Sequence, residues 1–597
     1  MSLYKDASLA MIPTAYKDGK LYSVRPTDGS GDFTFTRGSN LSATRVNASQ
    51  LIEKGRENVL LQSNSLDTSP WVKNQGATLV SGQSGYDGSS DAWRINITNV
   101  SNSGLYQAIP LSGVYSYSIY AKAGDINYLG FTNFAGSNYD IFFNLSNGTI
   151  ANQSGFIDAT ITSAGNGFYR CTLTSVNPVY LQMKPSSTAS GTSTAGYIFM
   201  QDLQVELGLV ATPYIETGAS TAQAGILENT PRFDYSGGAT CPSLLLEPLR
   251  SNLVTQSEYF ASSDWIKINS TITNNSVVSP EGLQNAATHT NTASNQVFLY
   301  QYPSGTGTTF TCSVFAKKNT NKYLGITMLY DSDTQKRYQV IFNLEDGTFA
   351  QQKDTASTLT NRDYDIEDYG NGWYRCSITS TGTNGRPYMV LQNSNILSVS
   401  FGDISLDWDD ATIGSAYYYG ATLEAGSYPT SYIPTYGVSQ TRALDNCLKT
   451  GVSSLIGQSN GTLFVEVGVF PKETNGRIFG ISDGSTNKYI IIIKNSTNTD
   501  FAVYVTNNGG QVTYQGTGSL NDNSKIAVGY ANNDYVIYVN GTQVHTDTSA
   551  SVPTCSNIYV GQRENGSGTY VAGGSVKQAL LFKTRLSNAE LASLTTI

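Results

Sequence analysis

Large apolar residues alternate with small or polar ones along many short stretches of this chain. Residues 115–121 (Tyr-Ser-Tyr-Ser-Ile-Tyr-Ala) and 310–316 (Phe-Thr-Cys-Ser-Val-Phe-Ala) show the two-residue period of strands that bury one face. Asn-Gly at 147–148 and Asp-Gly at 346–347 separate strand-like stretches and favour the positive φ values of tight hairpins. The pattern predicts short antiparallel strands and no long helices.

The same patterns occur twice along the chain. Residues 423–435 (Leu-Glu-Ala-Gly-Ser-Tyr-Pro-Thr-Ser-Tyr-Ile-Pro-Thr) echo 205–217 (Val-Glu-Leu-Gly-Leu-Val-Ala-Thr-Pro-Tyr-Ile-Glu-Thr). Gly-Asn-Gly-Phe-Tyr-Arg-Cys at 165–171 likewise returns as Gly-Asn-Gly-Trp-Tyr-Arg-Cys at 370–376. The offset between the copies only grows along the chain, from 194 to 218 residues. We therefore expect a duplicated domain whose second copy carries loop insertions on an unchanged set of strands.

The repeat and the length of the chain predict an all-β protein built from tandem antiparallel sandwiches. Residues 51–218 form the first predicted jelly roll, and residues 249–440 form its duplicate. A connector, 219–248, joins them, and an extended N-terminal segment, 1–50, precedes them. A third sandwich is expected over residues 447–597.

Large aromatic residues are repeated at equivalent places in the two copies. Trp71 corresponds to Trp265, and Phe168 corresponds to Trp373. Such rings can stack on sugars, but repetition within a Gly-Asn-Gly-X-Tyr-Arg corner is more typical of a structural role. We predict that these four residues belong to the cores of their sandwiches.

The last 150 residues keep the strand pattern with different spacing. Residues 461–470 alternate cleanly, and Asn-Gly at 540–541 predicts a hairpin. Ser587 and Glu590 have the spacing of a capping box, which predicts one short helix near the end of the chain.

Candidate ligand-binding residues in this part are tyrosines, which offer flat apolar faces, and an asparagine, which offers an amide to sugar hydroxyls. The predicted glycan contacts are Tyr504, Asn508, Tyr514, Tyr530 and Tyr535. Four aspartates could supply oxygen ligands to Ca²⁺, but their spacing fits no EF-hand loop, and we interpret them as turn formers: Asp483, Asp522, Asp534 and Asp547. No cofactor is expected.

Composition narrows the classes of partner. The formal net charge of −9 offers no basic face for phosphates, so nucleic-acid binding is not expected. The sequence shows no secretory leader and no long apolar stretch, so no membrane segment is expected. The six cysteines show no metal-ligand spacing and are predicted to be free thiols: Cys171, Cys241, Cys312, Cys376, Cys447 and Cys555.

The sequence offers little support for catalysis. The only histidines, His289 and His545, lie in polar stretches without a nucleophile motif. Asp407, Asp409 and Asp410 form the densest acidic cluster, but no second carboxylate can be placed opposite them to make a glycosidase pair. A second acidic cluster, 363–368, has the pattern of an exposed strand face. We predict that the protein is not an enzyme.

Three repeated motifs carry a family resemblance. They are Leu-(Ile/Leu)-Glu…Asn…Gln-Ser, Gly-Asn-Gly-(Phe/Trp)-Tyr-Arg, and Glu-X-Gly…Thr-X-Tyr-Ile-X-Thr. Together, over residues 51–435, they resemble modules of bacteriophage head-spike and tail-fibre proteins. The Tyr-Val-Asn-Gly hairpin at 538–541 and Arg-Leu-Ser-Asn-Ala-Glu-Leu at 585–591 resemble laminin-G/concanavalin A-like lectin domains.

The resemblance implies a virion fibre or spike protein, assembled in the host bacterial cytoplasm, that displays carbohydrate-binding-like sandwiches. It further implies a homotrimer attached to other capsid or tail proteins through the N-terminal region. The expected function is multivalent adhesion to surface glycans. Two alternatives stay open, namely a purely structural head or tail decoration without a ligand, and a glycan depolymerase.

Overall fold

The computed structural model describes most of the chain. The described residues are 3–38, 41–100, 102–133, 139–191, 194–330, 336–354, 359–382, 387–397, 411–469, 472, 475–495, 501–516, 520–567, 571 and 573–597. Asp407, Asp409 and Asp410 lie outside them.

The N-terminal part of the chain begins with a short 3-10 helix, Leu3–Lys5, and then forms short strands. These strands are β1 (Leu9–Met11), β2 (Tyr16–Lys17), β3 (Lys20–Leu21), β4 (Phe33–Thr36), β5 (Thr44–Val46), β6 (Ile52–Lys54) and β7 (Arg56–Asn58).

The first module consists of the next strands along the chain. They are β8 (Val72–Asn74), β9 (Thr78–Gln83), β10 (Ala92–Ile97), β11 (Gly104–Ala108), β12 (Val114–Ala123), β13 (Tyr128–Asn133), β14 (Tyr139–Asn144), β15 (Thr149–Ala151), β16 (Asp158–Gly165), β17 (Phe168–Val176), β18 (Tyr180–Ser186) and β19 (Gly196–Leu207).

The connector contributes three strands and a 3-10 helix, Ser236–Gly238, and the second module follows it. The connector strands are β20 (Ala222–Ala224), β21 (Arg232–Asp234) and β22 (Ser243–Leu246), and β23 (Arg250–Asn252) lies at the start of residues 249–440. The second module comprises β24 (Ile266–Ile268), β25 (Ser270–Val277), β26 (Ala286–Asn291), β27 (Phe298–Gln301), β28 (Thr309–Lys318), β29 (Tyr323–Tyr330), β30 (Arg337–Asn343), β31 (Thr348–Asp354), β32 (Thr360–Asp368), β33 (Trp373–Thr381), β34 (Pro387–Ser394) and β35 (Gly414–Ala425).

The C-terminal part contains the remaining strands, a 3-10 helix, Ser453–Leu455, and an α-helix, α1 (Asn588–Thr595). The strands are β36 (Gln440–Arg442), β37 (Asn446–Lys449), β38 (Asn460–Val467), β39 (Arg477–Ser482), β40 (Lys488–Lys494), β41 (Phe501–Asn507), β42 (Gly510–Gln515), β43 (Lys525–Ala531), β44 (Asp534–Val539), β45 (Thr542–Asp547), β46 (Asn557–Val560) and β47 (Gly574–Phe582).

The two modules have the same topology. In the first, one sheet has the order β15-β14-β13-β18-β11-β8 and the other β16-β17-β12-β19-β10-β9. The sheets of the second module are β31-β30-β29-β34-β27-β24 and β32-β33-β28-β35-β26-β25, which are the same orders strand for strand. The predicted duplication of an antiparallel sandwich is confirmed.

The four repeated aromatic residues are buried in both modules. The indole N–H of Trp71 donates to the carbonyl of Gln62 at 2.9 Å, and that of Trp265 donates to Gln256 at 2.8 Å. Trp265 is 1% exposed and Trp71 is 7% exposed, and Phe168 and Trp373 are also buried. The prediction of a core position is confirmed for Trp71 and Trp265. It is wrong for Trp373, which packs with Ile52 and Phe315 in a separate cluster, and its equivalent Phe168 is likewise not part of the core cluster of the first module.

The Glu-X-Gly…Thr motif that ends both modules is held by two hydrogen bonds between its glutamate and its threonine. Both oxygens of the buried Glu206 carboxylate accept from Thr212, one from its amide N–H and one from its hydroxyl, each at 2.6 Å. Glu424 and Thr430 repeat the arrangement at 2.9 and 2.7 Å. Because the carboxylate satisfies two donors at the exit of the last strand, the chain leaves each sandwich in a fixed direction.

The boundaries predicted for the N-terminal segment (1–50), the connector (219–248) and the third domain (447–597) are corrected by the sheet topology. One sheet of the third sandwich has the order β21-β22-β47-β38-β43-β44-β45, with β1 also paired to β47. The other has the order β2-β3-β4-β37-β46-β39-β40-β41-β42. Phe33 and Phe35 of β4 are buried in its core. The strands from residues 1–50 and 219–248 are therefore structural parts of the third sandwich.

A buried charge cluster lies where these segments meet. Arg232 contacts Glu247 at 2.7 Å and also pairs with Asp445. Arg442 contacts Glu247 at 3.0 Å, and Arg37 contacts Asp445 at 3.4 Å. Because the five side chains come from the N-terminal segment, the connector and the chain after the second module, the ion pairs tie these three segments together.

Smaller predictions are also confirmed. All six cysteines are free thiols, and all but Cys241 are buried. Helix α1 has the capping box in which Ser587 and Glu590 each bond to the backbone of the other. Asp363 and Asp365 lie exposed on the edge strand β32, whereas Tyr364 between them packs towards the core.

Candidate functional site

The structure does not bring the five predicted glycan contacts together. Tyr504, on β41, is half-buried on the outer face of its sheet, where it packs with Ile491 and Ile493. Tyr514, on β42, lies at the open edge of the sandwich, with its ring 5.0 Å from that of His545. Asn508 is exposed in the turn between these strands, with φ of 59°. The three side chains do not converge on one surface.

The interpretation of Tyr530 and Tyr535 as ligand contacts is corrected. Each is 1% exposed, and their phenol groups donate to the carbonyls of Gly457 and Ser551 at 3.0 and 2.9 Å. Strand periodicity could not assign their faces, because nearly every residue of β43 and β44 is buried.

The two histidines have different surroundings. His289 is fully buried, and burial lowers its pKa to about 3, so the imidazole is neutral at physiological pH. Its Nδ1 lies 3.0 Å from the Asn393 amide nitrogen, and its Nε2 has no hydrogen-bond partner among the described residues. His545 is half-buried beside Tyr514.

The described residues contain no group of three or more His, Cys, Asp or Glu side chains arranged around one metal ion. Across the same residues, no helix is both long and apolar enough to cross a membrane.

An open cleft of about 470 Å³ lies on the outer face of one sheet of the first module. Its walls are Asn74, Asn102, Tyr106, Tyr180 and Gln182. The two tyrosine rings meet edge to face, with centroids 6.0 Å apart. This volume falls within the range of roughly 300–1,000 Å³ that is usual for small-molecule sites. Flat rings framed by amides suit a ligand with both apolar faces and hydroxyl groups, which is the chemistry of a sugar.

Strand alternation explains why these side chains face outward. On β11, Leu105 is fully buried in the core, so Tyr106 faces the opposite side. On β18, Leu181 is buried in the core, and Tyr180 and Gln182 lie on the opposite side, where Tyr180 is half-buried and Gln182 is 4% exposed. Because β11 and β18 pair with Tyr106 opposite Gln182, the rings and the amide lie next to one another.

The polar surface continues onto the neighbouring strands of the same sheet. The hydroxyl of Thr132, on β13, donates to the Asp140 carboxylate at 2.6 Å. Lys184, on β18, forms an ion pair with Asp140 at 3.6 Å. A positively charged donor and a negatively charged acceptor therefore lie within two strands of the tyrosine pair.

The second module repeats the tyrosine pair. Tyr300 on β27 and Tyr388 on β34 also meet edge to face at 6.0 Å. Tyr302 adds a third ring, stacked on Tyr388 at 4.1 Å. Val390 stands where the first module has Gln182, because both lie opposite the first tyrosine of the pair. The second face is therefore richer in rings and poorer in amides than the first.

Sequence reasoning missed these tyrosines, although the signal was present. Leu-Tyr-Gln occurs at both 105–107 and 299–301, and in each copy the flanking residues face the core. A tyrosine repeated at an outward position is not explained by packing inside the sandwich. Tyrosines are so numerous in this chain that the repeated pair could not be singled out before the strands were placed.

Residues 449–592 match the family profile of the concanavalin A-like lectin/glucanases superfamily. No curated protein sequence matches the chain. The matched residues are about a quarter of the chain, and they correspond to the C-terminal part of the third sandwich. The lectin-like fold predicted for this region is confirmed.

Several solved structures are similar to parts of the chain. The CBM40 of the Ruminococcus gnavus IT-sialidase, bound to alpha2,3 sialyllactose, shares 16% identity over 24% of this chain and 86% of that chain, with a TM-score of 0.22. Domain 4 of the Geobacillus stearothermophilus arabinanase AbnA, in complex with arabinotriose, shares 12% identity over 26% of this chain and 73% of that chain, with a TM-score of 0.21. Domains LG4-5 of the mouse laminin alpha1 chain share 12% identity over 49% of this chain and 89% of that chain, with a TM-score of 0.17.

Proposed function

We propose that this protein is a non-enzymatic display protein that binds glycans through the outer faces of its two modules. The observation that carries the proposal is the tyrosine pair, Tyr106 with Tyr180 and Tyr300 with Tyr388, repeated at the same 6.0 Å spacing on equivalent strands. Each pair offers stacking faces for a pyranose ring, and in the first module the neighbouring amides can bond its hydroxyls.

The proposed mode of action is multivalent. A shallow surface holding one or two sugars binds weakly, and two such tyrosine faces on one chain raise the avidity by about 10²–10⁴ when both reach the same polymer. The sandwiches would act as rigid scaffolds, because the rings project from paired strands.

The binding test uses the full-length protein on a glycan array. We expect binding by the unaltered chain, loss of most signal in the Tyr106→Ala/Tyr180→Ala variant or the Tyr300→Ala/Tyr388→Ala variant, and loss of all signal when the four changes are combined. Tyr22→Ala, which removes a half-buried ring in the third sandwich, is the matched control. No binding to any glycan would favour the structural alternative. Release of reducing ends from a polysaccharide by the pure protein would favour the depolymerase.

We further propose that the protein is part of a bacteriophage virion and forms homotrimers attached to other virion proteins. The repeated sequence motifs support this part of the proposal. The N-terminal strands belong to the third sandwich, so we expect this sandwich to lie on the attachment side and the two modules to lie outward. Light scattering of the purified protein that gives a monomer mass would contradict the trimer. Absence of the chain from purified particles would contradict the virion role.

A further inference from the structure

A buried amide forms the floor of the first-module cleft. Gln182 lines the cleft, although it is only 4% exposed. It lies on β18 between Tyr106 of β11 on one side and Thr132 of β13 on the other. The Thr132 hydroxyl donates to Asp140 at 2.6 Å, and no described residue forms a hydrogen bond with the Gln182 side chain. Because a buried amide without a partner costs free energy, this floor favours a ligand that can both donate and accept.

Two neighbouring hydroxyl groups on a sugar ring satisfy such an amide. The carbonyl oxygen of a glutamine accepts and its amide nitrogen donates, side by side, and a hydroxyl can do either. One hydroxyl can therefore donate to Oε1 of Gln182 while the next one accepts from Nε2. The Tyr106 and Tyr180 rings, which meet edge to face beside the amide, supply apolar faces for the same sugar.

The second module has apolar side chains at the equivalent positions. Val390, which is fully buried, occupies the place of the amide, because it lies opposite the equivalent tyrosine. In the first module Asn74 faces Gly104 across β8 and β11. The equivalent facing residues of the second module are Ile268 and Phe298. The second face therefore lacks both the floor amide and the space beside the glycine.

Four aromatic rings form a continuous platform on the second face. The Phe298 and Tyr300 centroids are 6.4 Å apart, and those of Tyr300 and Tyr388 are 6.0 Å apart. Tyr302, which stands where the first module has Ala108, stacks on Tyr388 at 4.1 Å. Such rings contact the apolar face of a sugar and do not require its hydroxyl groups.

We propose that the two modules recognise different features of a glycan. The first module binds sugars with two neighbouring unsubstituted ring hydroxyls, and Gln182 is the residue that recognises them. The second module binds the apolar face of the sugar ring, whether or not its hydroxyls are substituted. This inference rests on the proposed function, because it assigns a specificity to the same two faces.

NMR titration of the full-length protein tests the proposal. The probes are soluble linear gluco-, galacto-, manno- and xylo-oligosaccharides, each compared with its O-methylated form. The Tyr300→Ala/Tyr388→Ala variant reports on the first module alone, and Tyr106→Ala/Tyr180→Ala reports on the second. O-methylation should weaken binding by the first module at least about tenfold, because the ligand can no longer donate to the buried amide. It should leave binding by the second module nearly unchanged.

One further variant and a matched control separate the amide from its surroundings. Gln182→Val, added to Tyr300→Ala/Tyr388→Ala, gives the first module the side chain that the second module has there. It should weaken binding of the unmodified oligosaccharides at least about tenfold and remove the difference between the two forms. Gln83→Val removes a half-buried glutamine from the other sheet of the same module and should bind as its parent does. Thermal unfolding curves check that both variants are folded.

The outcomes separate this inference from the proposed function. Binding by the first module that is insensitive to O-methylation or to Gln182→Val would overturn the inference and leave the proposed function standing. Equal sensitivity of the two modules to O-methylation would do the same. The O-methylation comparison needs no change at Gln182, so it decides the matter even where Gln182→Val does not fold. If the unaltered chain binds none of the unmodified oligosaccharides, the proposed function fails and the inference fails with it.

Discussion

At the scale of single residues, burial decides the role of His289. The side chain is fully buried beside Tyr418, with ring centroids 5.3 Å apart, and one imidazole nitrogen has no partner among the described residues. Charging this ring would place a cation in an apolar core without compensation. The lowered pKa of about 3 expresses that cost.

The second module should therefore lose stability in acid because of His289. The unfolded chain takes up the proton near the usual histidine pKa of about 6.5, while the folded chain takes it up only near pH 3, so stability falls as the pH falls between these values. At pH 4 the expected loss is about 3 kcal/mol relative to pH 7. His289→Gln should remove this part of the acid sensitivity, as measured by urea unfolding followed by tryptophan fluorescence.

His545→Gln is the control for this prediction, because His545 is half-buried at the edge of a different sandwich. It should leave the acid sensitivity of the second module unchanged. Equal acid sensitivity in the His289→Gln variant and the unaltered protein would show that this histidine does not carry the effect.

At the scale of elements, the strands and domains that the sequence predicted correctly are mainly those whose pattern occurs twice. Strand alternation and the matching Gly-Asn-Gly-X-Tyr-Arg corners were enough to predict two equal sandwiches, because local period and repetition both depend on nearby residues. The sequence also showed that the Glu-X-Gly…Thr motif ends each module. The hydrogen bonds between Glu206 and Thr212 depend on side-chain geometry, which the repeat alone could not reveal.

The elements that the sequence did not place correctly are short or buried on both faces. Strands β2 and β3 are two residues long, too short for a period to show, and they join the third sandwich only through β4, whose partner β37 lies hundreds of residues away. Tyr530 and Tyr535 lie on strands that are buried almost throughout, so alternation carries no information about their faces. The two tyrosine pairs depend on which strands are neighbours, and that is set by long-range pairing.

At the scale of the whole molecule, the third sandwich is assembled from three separated parts of the chain. Its sheets contain β1–β4 from the N-terminal segment and β21–β22 from the connector, in addition to the strands from residue 446 onward. The first and second modules are thus insertions between the parts of this sandwich. The Arg232–Asp445 and Arg232–Glu247 pairs lie where those parts meet, and breaking a buried pair of this kind typically costs about 3–5 kcal/mol.

This arrangement predicts that residues 447–597 do not fold stably when expressed alone, although they include the whole match to the lectin-like family. Without β4, strand β37 loses a partner, and without β1 and β22, strand β47 exposes both its ladder groups and the side chains packed against it. The isolated fragment should show a broad thermal transition or aggregate, whereas the same fragment joined to residues 1–37 and 219–248 through flexible linkers should recover cooperative unfolding. The matched control is residues 51–218, whose strands β8–β19 pair among themselves and which should unfold cooperatively alone. If 447–597 unfolds as sharply as the full chain and at the same temperature, the N-terminal and connector strands are only accessory to that sandwich.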